Sequence, residues 1–361
     1  MKRRGHLEED AGVGEKAAKR ARTAASTAIV VRDVEGGSGD GKSEKEDAKG
    51  LHFLKEENFV LEGHRADVSA VSFSPSGRAL LSTSFDRKYM LWDILDDGEV
   101  VNFCSKVAHK KPVTDAAWGA LEDGRFFTCS ADGSVGVWDA RRQCKERSLT
   151  HHASVANSCD AAGNLVASCG DDGRVFLSDE RDGHEKVMRI ETPYPLCAVA
   201  LGKDAKRLWC GGIANDVLEY DLRSLPKATR ALRGHQHTVT GLAVAPDGSH
   251  IISNGMDNRM IRWDVRPFVE GGDDARNVTT YEGSRNGFEE NLIRCDWSSD
   301  GALIAGGSAD NIVYCWEAEG QLAYRLPGHR GTVNSVAFHP KQKVLASGSA
   351  DGTIIIGELS W

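Results

Sequence analysis

The chain has few of the features that announce an enzyme, a secreted protein or a membrane protein. Nine cysteines are scattered through 361 residues without a single C-x-x-C. That spacing excludes a paired-thiolate zinc site, and the odd count argues for free thiols in a reducing compartment. No run of about 18 apolar residues occurs, so no membrane-spanning helix is expected. The opening MKRRGHLEED lacks the apolar stretch of a secretory signal. H-E-x-x-H and G-x-S-x-G are both missing, and with them the marks of a zinc protease and a serine-nucleophile elbow. Phe, Trp, Tyr and Pro are absent from residues 1–50. Such a segment cannot bury enough apolar surface to offset its ordering entropy, so a disordered tail is expected there.

What is present begins with charge. The formal net charge is −8, and the acidic excess lies beyond residue 50. Residues 51–361 are therefore not a generic polyanion binder. In the tail, Lys2, Arg3 and Arg4 form one basic cluster. Lys16, Lys19, Arg20 and Arg22 form a second, 11 residues further on. Two basic clusters with a spacer resemble a bipartite nuclear-import signal, so the nucleus is the expected compartment.

The tail also holds GGSGDGKS, Gly36 to Ser43, which satisfies the P-loop pattern G-x-x-x-x-G-K-S/T. A working P-loop follows a buried strand and opens a helix. Here EKEDAKG follows, polar throughout and ended by Gly50. With no apolar stripe to pack on a sheet, the stretch reads as a Gly-rich linker. No cofactor is expected.

From residue 51 the dominant signal is self-similarity. LWD (91–93), VWD (137–139), LSD (177–179), EYD (219–221), RWD (262–264), CWE (315–317) and IGE (356–358) recur at intervals of 40 to 53 residues. Gly-His or a relic of it precedes most of them, at 63–64, 108–109, 151–152, 234–235 and 328–329. Between the two lie runs such as VSAVSFSPSGRALLSTSFD, which read as strand, turn, strand and tight turn.

These recurring units resemble the WD-repeat β-propeller family over residues 51–361. The resemblance implies an all-β fold of seven four-stranded blades behind a disordered N-terminal tail. The last unit lacks its outer strand, and NFVLEGH (58–64) looks like YRLPGH (324–329). Residues 58–61 are therefore expected to complete blade seven and hide two open sheet edges. The long interval at 267–288 is expected to be an insertion before blade six.

In this family a His, a hydroxyl residue, the turn Asp and the Trp form a hydrogen-bonded set within a blade. Carried over by position, the sets are His64, Ser82, Asp86 and Trp92 in blade one, and His109, Thr128, Asp132 and Trp138 in blade two. Blade five has His235, Ser253, Asp257 and Trp263. A His–Asp–Ser combination also suits a hydrolase, but an active site occurs once and this set recurs. Blade three has Ser178 for Trp. Blade four has Ala214 for the turn Asp, blade six has Gly306 for the hydroxyl, and blade seven has Gly357 for Trp. His151–His152 falls in the Gly-His register, with no further ligand close in sequence for a metal.

Propellers bind through loop residues on a rim. The residue before each turn Asp is expected there, and Phe85, Ile213 and Met256 are the apolar ones. WDVRPF (263–268) adds Arg266 and Phe268 as candidate partner contacts, and its W-D-x-R run resembles the docking motif of cullin-ligase substrate adaptors. A narrower resemblance is carried by that hexapeptide, NGFEENLIRCDWSSDGALIAGGSADNIVYCWE (286–317), YRLPGH, KRAR in the tail and the final GEL (357–359). These stretches are similar to the WD-repeat subunits of U5 small nuclear ribonucleoproteins. That resemblance implies a non-catalytic scaffold in pre-mRNA splicing. It would contact the large U5 scaffold protein and neighbouring subunits. RNA contact would be indirect or minor, with no membrane and no small-molecule substrate.

Overall fold

A computed structural model of the chain describes residues 22–25, 57–94, 100–119, 122–179 and 188–359. Seven antiparallel sheets follow one another along the described chain. Blade one comprises Val68–Phe73, Ala79–Ser84, Lys88–Ile94 and Val100–Val107, from inner to outer strand. The same order recurs through blade six, which ends at Leu322–Pro327. Each inner strand packs on the inner strand of the next blade, and that of blade seven packs on that of blade one, closing a ring.

The ring closes through the N-terminal strand. Glu57–Glu62 pairs antiparallel with Thr353–Glu358, in register from Phe59 opposite Ile356 to Glu62 opposite Thr353. Leu61 is buried with Ile354 and Ile356 of blade seven, and with Val68, Leu80 and Trp92 of blade one. The closure is thus hydrogen bonds within one sheet and apolar contact between two.

Two features add to the sequence reading. First, Arg22–Ala25 forms a fifth strand against Glu57–Glu62. A free sheet edge offers backbone donors and acceptors, so pairing there needs no apolar side chains. The basic residues of the tail before Arg22 and the Gly36–Ser43 stretch lie outside the described residues. Second, the interval 267–288 is not simply inserted loop. It contains a short 3-10 turn at Asp273–Arg276 and the outer strand of blade five, Asn277–Glu282. Thr and Asn in NVTTYE hid that strand from a reading based on apolar alternation.

Inner strands carry a shared irregularity. In six of the seven, the register slips by one residue after the first pair, as at Val68/Ala70 and Val333/Ser335. A bulge re-aims the extra side chain. In four of the six the bulged residue reaches the next blade. Thr114 donates to the carbonyl of Ala156, Asn157 to Leu196, Thr240 to Ile293 and Asn334 to Val68. Blade six has no such bulge, and that is where an arginine enters the channel.

The turn between the second and third strands also repeats. The residue after the turn Asp, or its equivalent, has positive φ in all seven blades: Arg87, Gly133, Gly173, Asn215, Asn258, Asn311 and Gly352. Gly and Asn adopt that region at little cost, and Arg adopts it only at a cost. Arg87, at φ 70°, is the exception.

Candidate functional site

The family-derived sets assemble inside their blades. In blade one, His64 Nε2 is 2.9 Å from Ser82 Oγ, and the Trp92 indole donates to the same oxygen at 2.9 Å. With that hydroxyl proton given to Nε2, the His64 Nδ1–H faces Asp86 at 3.2 Å. Asp86 also accepts from the backbone of Arg65 and Lys88. Burial pushes this carboxyl up, but the His64 bond and the backbone donors outweigh it and hold it at about 2. Blade five repeats the geometry with His235, Ser253, Asp257 and Trp263 at 2.7 to 3.1 Å.

Blade two is a variant. His109 Nε2 meets Thr128 at 2.7 Å and Trp138 donates to Thr128 at 2.9 Å. His109 Nδ1, however, bonds Ser134 at 2.9 Å, and Ser134 passes the link to Asp132 at 2.5 Å. Burial and the nearby Lys145 ammonium hold the His109 imidazole down, at about 4, so it is neutral.

Two further sets were missed as complete units. His152 bonds Ser168 and Asp172, and His329 bonds Ser347 and Asp351. Both lack the Trp. In blade three the ring of Phe176 packs edge-on against His152 instead, with centroids 4.7 Å apart. The signal was available: each His stands 20 or 22 residues before an Asp that opens a tight turn. All five sets pin one strand connection to one turn, and each hydroxyl that faces Nε2 is engaged by its own His.

The channel holds what sequence reasoning did not single out. Arg294 sits where the inner strands of blades one, three, four and five carry Ala70, Ser158, Ala198 and Gly241, and it is nine-tenths buried. Its Nη1 donates to the carbonyls of Cys197 and Thr240, and Nη2 to that of Asn157 at 2.7 Å. Nη2 also lies 3.5 Å from Asp115 Oδ2. One blade-six side chain therefore ties together blades two, three, four and five. A planar fork with five donors suits this task and an ammonium does not.

At Arg294 the channel holds a cavity of about 590 Å³, lined among others by Phe73, Trp118, Phe338 and Lys203. Asp160 accepts from the backbone of Ala161 and from Leu201 of the next blade. Asp296 likewise accepts from Trp297 and from Phe338 of blade seven. Desolvation pushes both carboxyls up to about 6, against the pull of those donors. Among the described residues, no group of three or more His, Cys, Asp and Glu is placed to hold a metal ion.

The expected rim residues do not form one surface. Phe85 and Ile213 are 43% and 48% exposed on turns between second and third strands, and Met256 is half-buried on the equivalent turn. Arg266 and Phe268 follow a third strand, so they stand at the opposite rim. Phe268 is 92% exposed. Arg266 is clamped in two-pronged fashion on Asp264, so its guanidinium is already engaged.

Seven antiparallel sheets in a ring, pinned by His–hydroxyl–Asp sets, define the WD-repeat propeller class. The family description WD domain, G-beta repeat matches residues 55–93, 102–139, 143–179, 226–264, 276–317 and 320–356, and the chain belongs to that family. The unmatched interval holds most of blade four, whose turn lacks the Asp. Within the family the chain is 37% identical to the pre-mRNA-splicing factor cwf17 of Schizosaccharomyces pombe, over 84% of this chain and 88% of the relative. It is 36% identical to the U5 small nuclear ribonucleoprotein 40 kDa protein of Dictyostelium discoideum, over 82% and 83%. It is 35% identical to the human protein of that name, over 83% of each chain.

Proposed function

We propose that this protein is a non-catalytic scaffold in pre-mRNA splicing and a component of the U5 small nuclear ribonucleoprotein. The observation that carries the reading is similarity at 35–37% identity through the whole propeller to proteins named for that role. The interior supports it. The channel is crossed by Arg294, and the His–Asp–Ser sets are consumed in holding blades together. What remains for binding is surface: the rims, the loops and the tail.

Its partners are proposed to be the large U5 scaffold protein and neighbouring subunits, with RNA contact indirect or minor. Affinity purification of the full chain under mild salt, with RNA and protein identification, tests this. Recovery of U5 RNA with splicing proteins supports the reading. Recovery of a cullin ligase without them overturns it. The proposed compartment is the nucleus, reached through the basic clusters at 2–4 and 16–22. A fluorescent fusion lacking residues 1–22 should lose nuclear concentration if those clusters carry the signal.

A further inference from the structure

The rim above blades one and two combines four features. The turn at Phe85–Arg87 is held between two loops. Phe85 N donates to the carbonyl of Asp67, and the carbonyl of Arg87 accepts from Ala108 N. The 62–67 loop, the turn and the 107–112 loop are therefore one continuous surface. At its centre stand two exposed apolar side chains, Phe85 at 43% and Val107 at 62%.

Around them the charge is opposite to that of the chain as a whole. Arg65, Arg87, Lys110 and Lys111 are exposed, and none of the four makes a side-chain ion pair among the described residues. Lys106 beside them reaches only the carbonyl of Gln143. Asp86 and Asp132 lie within the patch, but each is occupied by backbone N–H groups and by its blade's His or Ser. Glu62 and Asp67 edge it on the blade-seven side.

Next to Val107 and Lys110 a groove of about 450 Å³ opens, walled by Ser134, Lys145, Ser148 and Thr150. Lys145 lies over the Trp138 ring at 5.1 Å and donates to the carbonyl of Ala108 at 3.3 Å. The groove thus presents an ammonium and the hydroxyls of Ser148 and Thr150. Ser134 is engaged with His109 and Asp132, and the Asp132 carboxylate that also lines the groove is held by Ser134 and by backbone N–H groups.

The backbone adds a fourth observation. Arg87 is the one turn residue of seven that holds positive φ without being Gly or Asn. A side chain kept where the backbone prefers none is strain retained at a surface, a pattern associated with functional sites.

We infer that this sector docks an acidic peptide segment of a partner protein, with an apolar side chain of that segment seated between Phe85 and Val107 and a carboxylate in the groove. Charge complementarity selects the acidic partner and steers its approach. Two apolar residues at the centre with cations at the rim match the layout of a protein-binding surface. Single-stranded nucleic acid is the poorer fit, because Val107 offers no face for base stacking. The inference rests on the scaffold reading only in requiring a protein partner.

The test is selection of a displayed library of random 12-residue peptides on the full chain, followed by binding of the enriched peptides by fluorescence anisotropy. Enriched sequences should be net acidic with at least one Phe, Leu, Met or Trp. Their affinity should fall at least about tenfold in the Lys110→Glu/Lys111→Glu double variant and should weaken as salt is raised. Arg87→Gly should weaken binding while leaving the melting temperature unchanged or higher, which separates docking from folding. Enrichment of basic peptides, no enrichment, or equal binding to the charge-reversed chain overturns the inference. So does binding of a 20-nucleotide oligouridylate with the same sensitivity to these variants. Failure here leaves co-purification with U5 components intact, and failure of that co-purification leaves the peptide result standing.

Discussion

Arg294 Nη2 lies 3.5 Å from Asp115 Oδ2, an ion pair between blades six and two that spans the channel. Asp115 accepts in addition from Ser158 Oγ and Cys159 N of blade three. The pair is buried and each member has further partners, so truncating one leaves the other's charge stranded.

Arg294→Ala should destabilise the fold by about 3 kcal/mol, the usual cost of breaking a buried pair on one side. The three carbonyls it bonds would also lose their donor. Arg294→Lys should recover only part, because an ammonium cannot reproduce the fork. Asp115→Asn in the Arg294→Ala background should restore stability relative to the single variant. Urea unfolding of the natural chain, Arg294→Ala, Asp115→Asn and the double variant measures the coupling, and additive losses would refute it.

The hydroxyl of the blade-five set should be worth more than that of blade seven. Ser253 Oγ serves both His235 Nε2 and the Trp263 indole. Ser347 Oγ serves His329 Nε2, while Gly357 stands where the Trp would be. Ser253→Ala strands two buried polar groups and should cost about 2–4 kcal/mol. Ser347→Ala strands one and should cost about 1–2 kcal/mol. Equal losses in thermal unfolding would show that the indole contributes nothing through this oxygen.

Much of the ring was legible because its determinants are periodic. His64, Ser82, Asp86 and Trp92 fall at spacings that return in blades two and five, and the geometry joins them as those spacings suggest. The inter-blade devices were illegible for a physical reason. Asn334 donating to Val68, or Asp160 accepting from Leu201, links residues whose proximity depends on ring closure and bulge geometry. Arg294 could have been found as the one long cation aligned with Ala70, Ser158, Ala198 and Gly241. Apolar character at a turn did not decide exposure, as half-buried Met256 beside exposed Ile213 shows.

The pH dependence of stability should carry opposite contributions from the channel and the blade sets. Asp160 and Asp296 titrate at about 6 in the folded chain against about 4 when unfolded. The folded state therefore binds more protons between those values. Their contribution is fully present below pH 4 and is lost as pH rises through 6. His109, held at about 4 against an unfolded value near 6.5, does the reverse: its contribution is full above pH 6.5 and is lost as pH falls toward 4. Asp160→Asn should remove one part of the first effect. Relative to the natural chain, that variant should gain stability as pH is raised from 4 to 7, by up to roughly 3 kcal/mol. A stability difference that stays flat across that range, followed by urea unfolding, would refute the assignment.

Ring closure gives the last prediction. Leu61 is 1% exposed and touches the apolar core shared by blades seven and one. Leu61→Ala should cost about 2–5 kcal/mol, the range for a buried leucine. Its effect should be global, because opening blade seven also exposes the outer edge of Thr353–Glu358 and separates Asn334 from Val68. Hydrogen exchange can distinguish a global from a local loss. If closure is cooperative, amides of the inner strand Val199 to Leu201 in blade four should lose protection together with those of Ile354 to Ile356. If only blade seven frays, protection should fall at 354–356 and stay unchanged at 199–201. The continuous packing of inner strand on inner strand, stitched by Arg294 and the bulged side chains, favours the cooperative outcome.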